Sequence, residues 1–157
     1  MTFFNSRISN IKTIRSTPNT QLSSNNWQLL SGSRITYIPS DKASEVVYQY
    51  SYGWHRSNSQ SNLMHIKFVS GSNENEINSS PSDIINSNFN IGATNVFSRG
   101  SSIIKKIIPA WQGEKVIQLN FRHYTDSFKT EVNELDRWAG GTVENDTNSN
   151  LVVYSIK

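Results

Sequence analysis

The side chains with chemical potential are few and scattered. The three histidines, His55, His65 and His123, are far apart in sequence, and none sits beside a serine, carboxylate or glycine pattern that would make it a base or a ligand. Nucleophilic catalysis needs a nucleophile, a base and an orienting group converging in a pocket. No GxSxG, HExxH, P-loop or dinucleotide fingerprint is present. The expectation is a protein that is not an enzyme. His65 and His123 fall within alternating stretches and read as strand histidines, whereas His55 follows Trp54 at a strand end, a place where loops bind ligands.

Two acidic groups, Glu131, Glu134 and Asp136, and Glu144 with Asp146, offer the oxygen ligands that hard cations prefer. Neither has calcium-loop spacing, so they read as solvated turns, and no metal or other cofactor is expected. Arg99, Lys105 and Lys106 form a compact basic group without interleaved aromatics, which suits a charged strand edge better than a nucleic-acid groove. Trp54, Trp111 and Trp138 could build a sugar-stacking platform. Tryptophans in β proteins also fill cores and subunit interfaces, so these three are candidates for an interface or for a glycan.

The 157 residues suffice for one domain with one core. Hydrophobic residues make up 35% of the chain and aromatics 11%. Ser and Asn, roughly a quarter of the residues, favour turns and caps by bonding to nearby backbone, although an AT-rich coding bias enriches them too. The net charge of +3 is spread over fifteen basic and twelve acidic residues, which gives little reason to expect nucleic acid. With no cysteine, disulfides and thiolate metal sites are excluded. No window approaches the ~18 apolar residues of a membrane span, and the start lacks a secretory signal's apolar run. No membrane insertion is expected.

The elements that would position these residues are strands. Val46, Tyr48, Tyr50, Tyr52 and Trp54 alternate along 45–54, Met64, Ile66 and Phe68 along 63–69, and Ile117, Leu119, Phe121 and His123 along 114–124. Shorter strands are expected at 34–38, 76–78 and 151–156. Residues 81–85 suggest a helical turn, and 130–138 fit either a strand or a helical turn. The doubled pairs Ile103-Ile104 and Ile107-Ile108 in 95–110 leave the face of that segment open. Seven or eight strands at about ten-residue spacing indicate an antiparallel sandwich or jelly roll.

Residues 1–26 read as an N-terminal arm and 27–157 as the β domain. The arm holds Phe3, Phe4, Arg7, Ile8, Ile11, Lys12, Ile14 and Arg15, with no acidic residue before Asp41. The three-residue spacing of Ile8, Ile11 and Ile14 fits a short amphipathic helix, or an extended arm laid on a neighbour. A terminus without fixed structure is the plainer alternative.

The segments WQLLSGSRITYIPS (27–40), VVYQY (46–50), LMHIK (63–67), LNFRHY (119–124), RWAGG (137–141) and LVVYSI (151–156) occur in an order that resembles the tumour-necrosis-factor/C1q-like jelly-roll domains of marine bacteriophage structural proteins. The resemblance covers residues 27–157. It implies a jelly roll, a homotrimer around a threefold axis, and a place in the virion. The partners it implies are the major capsid protein or tail proteins. A fibre normally needs a shaft of heptads or collagen-like triplets, and none precedes the domain. The arm-plus-head layout therefore favours a capsid decoration, or cement, protein attached through its arm. The alternative is a tail-fibre or receptor-binding module that recognises a host surface glycan.

Overall fold

A computed structural model describes residues 7–15, 21–22, 26–56, 62–72, 83–89, 98–123, 130–132, 135–137, 143–146 and 149–157. Every regular element among them is a strand. In chain order these are β1 (Ile8–Arg15), β2 (Gln21–Leu22), β3 (Gln28–Leu29), β4 (Ile35–Tyr37), β5 (Glu45–Arg56), β6 (Asn62–Gly71), β7 (Asp83–Phe89), β8 (Ser98–Pro109), β9 (Lys115–His123), β10 (Thr130–Val132), β11 (Leu135–Arg137), β12 (Val143–Asp146) and β13 (Asn150–Ile156).

They form two large antiparallel sheets, as in a β-sandwich. In the six-stranded sheet, β5 is central: β8 pairs along its whole length on one side, while β13 and then β10 pair on the other. β1 lies outside β13, and β2 outside β10. In the five-stranded sheet β9 has β6 on one side, with β7 beyond it, and the short β3 and β4 end to end on the other. β11 and β12 form a separate two-stranded ribbon.

Alternation explains why these segments pair. In β5, Val46, Tyr48, Tyr50 and Tyr52 all turn inward and are almost completely buried. In β9, Ile117, Leu119 and Phe121 answer them with no exposure at all. Each fully buried side chain of this size contributes about 1.5–3 kcal/mol relative to exposure. Tyr48 meets Phe68 edge-on across the core at 5.2 Å, and Tyr50 stacks on Tyr52 at 5.7 Å.

Two of the buried tyrosines find partners for their polar tips in the 30–34 turn. Tyr48 Oη donates to the carbonyl of Ser33 at 2.5 Å, and Tyr50 Oη to that of Ser31 at 2.6 Å. The turn, with Gly32 at φ 76°, interrupts the edge of the smaller sheet between β3 and β4. Ser33 fills the interruption: its Oγ donates to Leu119 O and accepts from Leu119 N–H, both at 3.1 Å.

Several sequence expectations need correction. Residues 81–85 contain no helical turn from Asp83 on, because β7 extends the smaller sheet by pairing with Phe68 through Asn62. The Asn and Ser there favour turns locally, but an open ladder offers their backbone a better set of bonds. Of the two alternatives for 130–138 the strand is found, as two short pieces, β10 drawn into line by the end of β5. Residues 8–15 are neither a helix nor separate from the body, since β1 is the edge strand of the larger sheet. Residues 76–78 lie outside the described residues.

Candidate functional site

β1 is built around a bulge. Ile8 and Ser9 pair with Ile156 and Ser155, Lys12 pairs with Val153, and the register shifts between them, so Asn10 and Ile11 together face Tyr154. Asn10 adopts φ 48°, a left-handed conformation that Asn tolerates better than most residues. Its Nδ2 donates to Ile38 O, while its carbonyl accepts from Tyr37 Oη at 2.6 Å. Tyr37 Oη also meets Ser155 Oγ at 2.8 Å, and Ser9 Oγ meets Ser40 Oγ at 2.6 Å. Lys12 Nζ reaches Thr36 O at 3.3 Å. These bonds fasten the β1 edge of one sheet to the β4 edge of the other.

The bulge sets which side chains face outward. Without it, Ile8 and Ile11 would lie on opposite faces; with it both lie on the outer face, and Ile14 turns inward to pack against the core. The same face continues across the sheet. Pairing carries it from Tyr154 to Val47 on β5 and on to Ile107 on β8, with Ile103 four residues earlier on β8. Ile8 is 46% exposed, Ile11 61%, Ile103 66% and Ile107 50%. An outward sheet face normally alternates to polar residues, so four half-exposed isoleucines on one face are unusual. Lys105 stands exposed between the two of β8.

The doubled isoleucine pairs of β8 now resolve. Ile104 is buried and Ile108 packs on the core, while Ile103 and Ile107 face out, so the strand is apolar on both sides. Single-period pattern matching has no category for such a strand; on the same outer side Tyr154 is half-buried and Val47 almost fully buried.

Of the arm residues expected to bind a partner, Ile8 and Ile11 are on this outer face, and Arg7 and Arg15 are exposed. Lys12 and Ile14 are engaged by the body of the domain. Phe3 and Phe4 lie outside the described residues.

Of the three candidate tryptophans, Trp111 is the one whose side chain is among those described. Trp54 belongs to β5, where its backbone pairs with Val132 and Gly100, and Trp138 lies outside the described residues. Trp111 sits between β8 and β9, edge-on to Tyr37 at 6.1 Å, with Lys115 Nζ 5.7 Å from its ring centre. Beside it, the turns 38–43 and 110–113 enclose a cavity of about 500 Å³ with Asp41, Lys42 and Gln112 in its walls. The indole Nε1 is buried and has no hydrogen-bond partner among the described residues.

Register places His55 opposite Glu131 on one side and Arg99 on the other, and His65 opposite Arg122. Among the described residues no three His, Asp or Glu side chains gather as a metal-binding group. Burial pushes the phenols of Tyr48 and Tyr52 well above their ordinary value, and that of Tyr37 up as well. These phenols are structural at neutral pH: Tyr48 and Tyr37 act as neutral donors to fixed carbonyls.

No family model and no curated protein matches this chain. Among solved structures, it aligns with one from work described as "Bacillus endospore appendages form a novel family of disulfide-linked pili". The alignment spans 100% of this chain and 97% of that one, at 9% identity and a TM-score of 0.34. That similarity is too low to bear on fold or function.

Proposed function

We propose that the chain is a non-enzymatic structural subunit of a larger assembly: a decoration protein of a virus particle, built into it by contacts that the outer face of its larger sheet makes with a neighbouring subunit. The observation that carries this is the set of four half-exposed isoleucines on that face. An apolar, shape-regular patch of this kind is stable in water only at a solubility cost, and covering it on assembly removes that cost. The jelly-roll resemblance supplies the particle as the setting.

The arm enters differently from the sequence expectation. Its residues 8–15 are already hydrogen-bonded into the sheet, so their contribution to attachment is the exposed surface of Ile8 and Ile11, not a free strap. The receptor-binding alternative is less favoured, because the Trp111 ring is occupied by Tyr37 and Lys115, and a stacked sugar would have to displace the lysine.

The test is incorporation. A tagged chain, produced alongside the particles, is expected to co-purify with them, and the double variant Ile11→Asp, Ile107→Asp is expected to fold with an unchanged circular dichroism spectrum but to be absent from them. Wild-type protein missing from purified particles, or full incorporation of the variant, overturns the proposal.

A further inference from the structure

The outer face has an internal symmetry of charge. Its apolar row, running across the strands, is Ile11, Tyr154, Val47 and Ile107; Val47 is almost fully buried, so Ile11, Ile107 and the half-buried Tyr154 present its surface. One row to one side lies Glu45 on β5, and one row to the other lies Lys105 on β8, both exposed. The other positions of these two flanking rows are uncharged. Within one subunit Glu45 and Lys105 are four residues apart along the strands, about 13 Å, so they are too distant to pair with each other.

We infer that this face packs against the same face of a second copy, about a two-fold axis that runs along the apolar row. This rests on the reading of the face as a contact surface and names its occupant. Turning one sheet over about that axis lays Ile11, Tyr154, Val47 and Ile107 on the same row of the partner. It also exchanges the flanking rows. Glu45 then stands over Gln49 of the partner, whose neighbour on the adjacent strand, about 4.8 Å across, is Lys105. Because the contact is isologous, this approach occurs twice. Sheets packed face to face lie about 10 Å apart, a gap that a lysine and a glutamate reaching from opposite sides can close.

An unrelated partner would give no reason for one acid and one base to flank the apolar row at equal distances. A second copy does, because each charge finds its opposite only when the face meets itself. A threefold contact joins two different patches and would not bring row onto row. The expected species is therefore a dimer through this face.

The experiment uses the full chain and sedimentation equilibrium across about 1 μM to 500 μM, a span that brackets ordinary homodimer affinities. Wild type is expected to reach twice the 17.8 kDa chain mass. Glu45→Lys and Lys105→Glu, each placing like charges together at both symmetric contacts, should each weaken dimerisation at least tenfold. The double charge swap should return to within about threefold of wild type, the range left by imperfect side-chain geometry. A chain that stays monomeric, forms trimers, ignores the single reversals or is not rescued by the swap overturns the inference. If it stays monomeric while Ile11→Asp, Ile107→Asp still abolishes incorporation into particles, self-pairing falls and the contact-surface reading stands. If neither readout responds, both fall.

Discussion

Ser33 offers a sharp test of how the two sheets are joined. Its hydroxyl stands where a ladder partner for β9 is missing, giving one bond to Leu119 O and taking one from Leu119 N–H. The residue has no exposure, so water cannot replace the hydroxyl. Ser33→Ala affects the two bonds unequally. Leu119 O keeps the N–H of Leu30 at 2.9 Å, whereas Leu119 N–H is left buried without a partner. An orphaned buried donor costs about 1–3 kcal/mol, and the second lost bond adds about 0.5–1.5 kcal/mol at most. The expected destabilisation is therefore about 2–3 kcal/mol, equivalent to a fall in Tm of roughly 4–12 °C for a domain of this size. Urea unfolding followed by tyrosine and tryptophan fluorescence measures it. Tyr50→Phe is the comparison, since it removes the bond to Ser31 O while leaving the ladder intact and should cost about 1 kcal/mol. A Ser33→Ala loss below about 0.5 kcal/mol with an unchanged urea slope would refute the argument that this hydroxyl substitutes for strand pairing.

Two further outcomes are expected. Because burial raises the folded-state pKa values of Tyr48 and Tyr52, the folded state holds their protons more tightly than the unfolded chain. Their contribution is thus fully present below about pH 10 and is lost as pH rises above it, by up to about 1.4 kcal/mol per pH unit for each phenol. Urea midpoints between pH 8 and 11 should stay level and then fall steeply, with a shallower fall in Tyr48→Phe. At the bulge, Asn10→Val should cost about 2 kcal/mol, since a β-branched residue resists positive φ and the bond to Ile38 O is lost, whereas Asn10→Gly should cost about half of that. Thermal melts that rank the two variants equally would contradict the strain assignment.

The sequence made the core strands readable because their two faces differ. Tyr48, Tyr50 and Tyr52, or Ile117, Leu119 and Phe121, mark the buried side by simple alternation. The contact surface was not readable in the same way. β8 is apolar on both faces, so alternation carries no information about which isoleucine is outside. In β1 the spacing of Ile8, Ile11 and Ile14 imitates a helix, and only the pairing with β13 reveals an extra residue. Short elements such as β10 owe their conformation to the ladder they join, which no local pattern encodes. The charge arrangement about the apolar row is a property of register between β5 and β8, residues some sixty positions apart in the chain.

The bulge at Asn10 and Ile11 makes the composition of the outer face depend on a residue count. Deleting either residue would leave one residue opposite Tyr154 and keep Ile8 facing outward opposite Ile156, whereas closing the bulge at unchanged length would slide Ser9 opposite Ile156 and turn Ile8 into the sandwich. Loss of the bulge by substitution would thus withdraw one end of the apolar surface and unfasten the serine and tyrosine contacts at the sheet corner, without altering any side chain on the surface that remains. Substitution at Asn10, whose left-handed backbone holds the bulge, is, more than length variation, where related chains would gain or lose the property.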